Sequence, residues 1–338
     1  MPINQSYRDV HVDTLLSNFS VALWQDTSVF VGTRFFGVQN VSKASDKFKV
    51  FEQGFFNRSV KSRRAEEGVA NSIGYKSGED SYSCDDDALR IFVSDRKRAN
   101  TDSQEMLDQA STRVVVDSLL LAKEEEFVEK FLTAGKWAKD YQVGTDALPG
   151  SGTKNWSDPT AEIESDVVLL AEDFVKQSGG RKPNKILMTL DVYNIVRLHP
   201  SIKELVSGGA TTAMPAKVMK QKLAELFEVD EVVVMQSIVN LANDEVLDGN
   251  DKPVANNQFV AEGVFLMVYV DQAGGLMAPT AAATFVHSQY VSMGVDNGPS
   301  VRRYAGSPGQ KGEYIESELS IDQKLVAPDL GLFLYDIA

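Results

Sequence analysis

The chain has 338 residues, 43% of them hydrophobic, and a single cysteine, so it can bury a sizeable core but cannot staple itself with an internal disulfide. Its formal charge of −14, with a pI near 4.8, argues against a protein that grips nucleic acid, because such binding needs Lys and Arg to neutralise phosphates. The polar start MPINQSYRDVHVDTLLSNFS lacks the basic region and apolar run of an ordinary signal peptide, and no stretch reaches the roughly 20 apolar residues of a membrane span; the expectation is a soluble protein made in a cytoplasm.

Residues 1–40 carry only short apolar runs, SVALWQ and SVFVGTRFF, and are expected to lie along something else. In 41–100, KFKVFEQGFF alternates like a strand, with Phe48, Val50 and Phe55 facing inward, and ALRIFVS (88–94) reads as its returning partner. Between them runs RSVKSRRAEEGVANSIGYKSGEDSYSCDDD, charged and punctuated by Gly68, Gly74 and Gly78. Connections beyond roughly 12–15 residues are uncommon in compact domains unless functional or disordered, and a two-stranded arm is marginal by itself, so a neighbour is expected to order it.

Residues 102–134 contain no Gly or Pro and many good helix formers, which predicts one helix of about 50 Å. Its expected face is Leu107, Ala110, Val114 and Leu121, widened by Val116, Leu119, Leu120, Phe127, Val128 and Phe131. After the break GTDALPGSGTKNW (144–156), helix 159–177 places Ile163, Val167, Leu170, Ala171 and Phe174 on one stripe. KILMTLD (185–191) reads as a buried strand, and Asp191 as the cap of a short helix closed by Pro200. Helix 215–227 and strands 231–237 and 263–271 complete a βα alternation that implies an α/β layer. Beyond about 280 the helical period disappears. ATFVHSQYVSM, GEYIESELSIDQKLVA and LGLFLYDIA read as strands, the second with imperfect phasing that a bulge would explain.

Chemical motifs are missing: there is no GxGxxG, GxxxxGK[ST], GxSxG or HExxH. His11, His199 and His287 are far apart, so a metal or Ser-His-Asp site would have to assemble across the fold; His199, before Pro200 at a helix end, suits the helix dipole instead. Cys84 precedes Asp85, Asp86 and Asp87, whose charge disfavours a thiolate. That acidic run reads as a solubilising or edge-protecting device. NDEVLDGNDKP (243–253) fails the calcium-loop spacing at Leu247 and reads as a turn at Asp248-Gly249. Arg58, Lys61, Arg63 and Arg64 could meet phosphate, but Glu66 and Glu67 beside them favour an ion-pair patch between subunits. In NWSDPTAEIE, Asp158 reads as a helix N-cap before a first-turn Pro159, and Trp156 as an anchor at a domain junction. Catalytic, cofactor-binding and metal residues are assigned nowhere.

The order of elements resembles that of the major capsid proteins of tailed double-stranded DNA phages, which have the HK97-type fold. VDTLLSNFSVAL resembles the family's N-terminal arm; residues 41–100 have the place and composition of its extended β-hairpin, the E-loop; 102–134 is placed like the spine helix. NWSDPTAEIESDVVLLAEDFVKQSGGRKPNKILMTLDVYNIVRLHPSI resembles the opening of the axial (A) domain, and LAELFEVDEVVVMQSIVN, GVFLMVYVD, TFVHS and VAPDLGLFLYDIA resemble later steps of the same path. The resemblance implies an α+β fold divided into an N-terminal arm (1–40), an E-loop (41–100), a peripheral (P) domain with the spine helix (101–150), an α/β A-domain (151–278) and a β-rich P-domain return (279–338). It implies a structural, non-enzymatic subunit without cofactors that assembles as hexamers and pentamers into an icosahedral virion shell around double-stranded DNA, in the host bacterial cytoplasm. Portal, scaffolding and decoration proteins are the implied partners; no long scaffolding segment precedes the arm, so a separate scaffolding protein, or none, is expected. An encapsulin-like nanocompartment shell is the alternative, and a hydrolase or metal enzyme with a dispersed site the third reading.

Overall fold

The computed structural model describes residues 30–51, 77–100, 104–207, 220–242, 256–271, 279–287 and 299–337, with scattered positions between 57 and 74. Most of the expected arm, His11, Phe55 and the 243–253 turn lie outside the described residues. The described chain opens with a one-turn helix α1 (Gly32–Phe35) and strands β1 (Gly37–Asn40) and β2 (Ser45–Phe51). Next come β3 (Ser77–Ser83), β4 (Asp85–Ser94), the short α2 (Asp95–Ala99) and the long α3 (Gln104–Phe131). Strand β5 (Lys139–Gln142), α4 (Ile163–Gln177), β6 (Lys185–Thr189), α5 (Leu190–Leu198), α6 (Pro200–Ser207), α7 (Lys220–Leu226) and β7 (Glu231–Met235) follow. The chain ends with β8 (Ile238–Asn240), β9 (Asn257–Phe259), β10 (Phe265–Val268), β11 (Ala282–Val286), β12 (Ser300–Ala305), β13 (Gly312–Leu325) and β14 (Gly331–Tyr335).

Two five-stranded sheets result. The first runs β1-β11-β13-β12, with β4 also paired to β13; the second runs β5-β14-β10-β6-β7. The tail read as one β-rich return is divided between them: β11, β12 and β13 enter the first sheet, whereas β14 lies between β5 and β10 in the second. Strands β6, β10 and β14 carry apolar runs, Ile186–Met188, Phe265–Val268 and Leu332–Leu334, because both faces of this sheet are covered. Ile186, Met188, Phe265, Met267, Leu332 and Leu334 face the core under α4 and α5, while Leu187, Leu266, Val268 and Phe333 face Phe35, Phe36, Phe127 and Phe131.

Helix α3 joins the two sheets. Val116 and Leu120 pack with Val93, Val301 and Ile315, and Leu119 with Leu319 and Ile321, all on the first sheet; Phe127 and Phe131 then reach the second. Each of these fully buried side chains stabilises the fold by about 1.5–3 kcal/mol relative to exposure. The expected face is only half right. Val114 is 57% exposed and Ala110 is exposed, so the packed stripe is the set first read as a widening. At 28 residues the helix is about 42 Å long.

Three further expectations are corrected. The partner of β2 is the polar segment 77–83, in continuous register from Ser45–Ser83 to Phe51–Ser77, and not 88–94, which pairs with β13. Periodicity could not find β3 because only Tyr82 of it is buried, stacked on Phe285 beside Phe48. Strand β13 needs no bulge: its registers with β4 and β12 run without a skip. Its phasing is blurred because Ser317, Glu318 and Ser320 are buried along with Ile315, Leu319 and Ile321. Finally, the 191 cap is displaced: Thr189 is the N-cap of α5, and the Asp191 carboxylate accepts the Gly263 N–H at 2.6 Å. The helix does end just before Pro200, as expected, and Pro200 opens α6.

Candidate functional site

The segment around Trp156 is built on a buried carboxylate. Asp166 lies on the apolar stripe of α4 between Ile163 and Val167 and is fully buried. Its Oδ1 accepts the N–H groups of Gly150 (2.9 Å) and Ser151 (2.8 Å), and its Oδ2 accepts the Trp156 indole N–H (2.9 Å). These three bonds fold the Gly/Ser-rich break back onto the helix. Trp156 is itself fully buried and meets Phe265 edge to face with ring centroids 5.2 Å apart. The Ser151 hydroxyl accepts the Glu162 N–H at 2.8 Å.

Asp158 is not the N-cap of α4. The helix begins at Ile163, four residues after Pro159, and Glu162 stands at the cap with no side-chain cap bond. Asp158 instead closes its own turn, where Oδ1 accepts both the N–H and the hydroxyl of Thr160 at 2.8 Å and its carbonyl oxygen accepts the Ala161 N–H. The Thr160 bonds hold the Asp158 carboxyl below its usual range. A short side chain bonding two residues on is the favoured turn geometry of Asp, and it outcompetes helix entry here.

His199 completes this junction. It is buried, it ends α5, and its Nε2 and Nδ1 lie 3.1 Å from the Asp158 carbonyl oxygen and 2.6 Å from Ser201 Oγ. A carbonyl oxygen can only accept, so Nε2 carries a proton toward Asp158. Among the described residues neither ring nitrogen is bonded to a carboxylate, and the ring clasps two turns. A shallow cavity of about 450 Å³ lies beside it, lined by Trp156, Ser157, Pro159, Ile195, Leu198 and His199 among others. His287 lies elsewhere, its N–H bonded to the Ser320 carbonyl, so His199 and His287 do not converge. Among the described residues no group of three His, Cys, Asp or Glu is placed to hold a metal ion, and no helix is long and apolar enough to cross a membrane.

Of the residues expected at an intersubunit patch, Arg63 and Arg64 are exposed, and Arg58, Lys61, Glu66 and Glu67 lie outside the described residues. Nearby, Val69 is 94% and Ile73 73% exposed. Asp85–Asp87 are in β4 itself, paired with Leu319–Ile321, and Asp87 forms an ion pair with Lys123. Cys84 is buried, its thiol pushed up to about 11 by burial first and by Asp322 second, with the neighbouring aspartates contributing less.

Sequence reasoning missed two charged groupings. Glu124 of α3 is buried, and its carboxylate accepts the N–H groups of Gly32 (2.7 Å) and Val31 (3.1 Å) and the Ser237 hydroxyl (3.2 Å). Burial pushes its carboxyl up to about 7 against these three donors and Arg34. The Gln323 side-chain amide donates to the Gly32 carbonyl at 2.8 Å, so residues 31–32 are held from both sides. Farther along, Arg98 and Arg303 bracket Asp108 at 3.1 and 2.7 Å, and Arg98 reaches Glu313 at 2.7 Å, tying the start of α3 to β12 and β13. The available signal was position: Asp166 and Glu124 both occupy stripe positions, three residues from Ile163 and Phe127.

No family model matches the chain. A curated relative, the major capsid protein of Burkholderia phage BcepMu, is 23% identical over 231 residues, which is 67% of this chain and 69% of that protein. A phage-related protein from Bordetella bronchiseptica RB50 superposes with a TM-score of 0.67 at 20% identity, covering 97% of this chain and 98% of that one. The capsid of Cyanophage P-SCSP1u gives a TM-score of 0.54 at 12% identity over 89% and 86% of the two chains. The chain has the HK97-type capsid fold, the α+β fold that its order of sequence elements resembles.

Proposed function

We propose that this chain is a major capsid protein whose copies assemble as hexamers and pentamers into an icosahedral shell enclosing phage double-stranded DNA. The observation that carries this reading is its alignment, across two thirds of both chains, with a protein named a major capsid protein, on a fold shared with a phage capsid. The junction chemistry supports a structural rather than catalytic subunit: the bonds found for Asp166, His199 and Trp156 all brace turns. In this reading 41–100 is the E-loop lying over a neighbouring copy, with Arg58, Lys61, Arg63, Arg64, Glu66 and Glu67 making intersubunit ion pairs. Residues 1–40 are the arm, α3 is the spine of the P-domain, and Trp156, Asp158 and Pro159 stand where the P-domain hands over to the A-domain. The shell forms in the host cytoplasm, with portal and scaffolding or decoration proteins as partners, and carries no catalytic step.

The test is negative-stain electron microscopy and sedimentation of the purified chain. Shells, tubes or capsomers are expected, and a strict monomer at high concentration sinks the reading. The absorbance ratio at 260 and 280 nm of particles isolated from cells separates a DNA-filled head from an encapsulin-like shell loaded with protein.

A further inference from the structure

We propose that the β8–β9 ribbon is a contact surface between copies of this chain, an inference that rests on the self-assembling reading above. The two strands pair with each other and with no other strand among the described residues. Register sets Ile238 opposite Phe259, and these are 50% and 37% exposed; Leu241, just past the strand, is 57% exposed. The other face, where Val239 opposes Gln258, is not buried either. A two-stranded ribbon that buries neither face in its own chain is marginal unless something packs on it.

Charge identifies the occupant. The chain carries a net charge of −14, so copies repel over most of their surface. No Asp, Glu, Lys, Arg or His occurs from Val232 to Asn243 or from Pro253 to Ala261, whereas the joining residues 244–252 hold four acids and one lysine, so two acidic copies can share the strands of the ribbon, but not its joining segment, without like-charge repulsion. Its edges also lack the devices that usually block strand addition: within β8 and β9 there is no Lys, no Pro and no inward charge.

The ribbon is mounted firmly. At its base the Val260 N–H donates to the Ser237 carbonyl at 3.0 Å, and at its far end the Leu241 N–H donates to the Asn256 carbonyl at 3.0 Å. The Ser237 hydroxyl donates to the buried Glu124 carboxylate of α3. A strip held in place on the longest helix loses little freedom on association, which favours binding.

The experiment compares the full-length chain with the double variant Ile238→Asp/Phe259→Asp by sedimentation velocity across a concentration series. Both side chains are exposed, so the thermal midpoint should hold while association weakens at least tenfold. A double variant that associates like the wild type overturns the ribbon contact but leaves the shell reading standing. Wild type that stops at small oligomers, with the variant monomeric, supports the ribbon and removes the shell; wild type that stays monomeric at every concentration removes both. Should the double variant misfold, Phe259→Cys labelled with an environment-sensitive dye decides. Cys84 is buried and unreactive, so the label reports position 259, and emission that stays unchanged on association overturns the proposal.

Discussion

At the scale of single residues, two buried carboxylates organise more of this protein than any motif does. Glu124 holds the N–H groups of Val31 and Gly32, and its carboxyl is raised by burial to about 7 from the usual 4.5. A carboxyl raised on folding binds its proton more tightly in the native state. Its contribution to stability is therefore fullest below about pH 4.5 and falls as pH rises through about 7, a change of about 3 kcal/mol. Thermal midpoints measured from pH 4.5 to 8 should show a decline that Glu124→Gln flattens; an unaltered slope in the variant would remove Glu124 as its source. Asp166 acts through the three donors it gathers, the Gly150 and Ser151 N–H groups and the Trp156 indole. Asp166→Ala strands the buried Gly150 and Ser151 N–H groups and the Trp156 indole, and should cost about 3 kcal/mol in chemical denaturation. A loss below about 1 kcal/mol would mean that the break is held by packing instead.

At the scale of elements, the β2–β3 ribbon separates folding from assembly. Phe51 pairs with Ser77, so replacing 52–76 by Asn-Gly leaves the two strands joined by a turn that suits an antiparallel hairpin. The inner ends stay anchored, because Phe48 and Tyr82 pack on Phe285 within the first sheet. The shortened chain should keep its thermal midpoint within a few degrees and assemble poorly, as electron microscopy would show. Loss of the folded monomer would contradict the E-loop role. Helix α3 is the converse element. It packs on both sheets and shares ion pairs with β4, β12 and β13, through Lys123 with Asp87, Arg303 with Asp108 and Lys130 with Asp322. A break in it is expected to damage both sheets together.

At the scale of the whole molecule, the net charge of −14 predicts that the subunit will not hold the DNA its shell would enclose. Fluorescence anisotropy with a double-stranded oligonucleotide at about 0.15 M salt should show no binding in the micromolar range, and tight, salt-sensitive binding would contradict this. What the sequence determined alone is what rests on local periodicity and composition. The apolar runs of β6, β10 and β14, the stripe of α4, the long helix and the order of elements were legible because each is written in residues close along the chain. Tertiary structure decided the rest. That 77–83 rather than 88–94 pairs with β2, that 331–335 enters the second sheet, and that Glu124 faces inward all depend on partners tens of residues or more away; the start of α4 at Ile163 was decided nearer by, where Thr160 draws Asp158 into a turn. A polar strand or a buried carboxylate gains its place from the groups that meet it, and no local pattern records which groups those are.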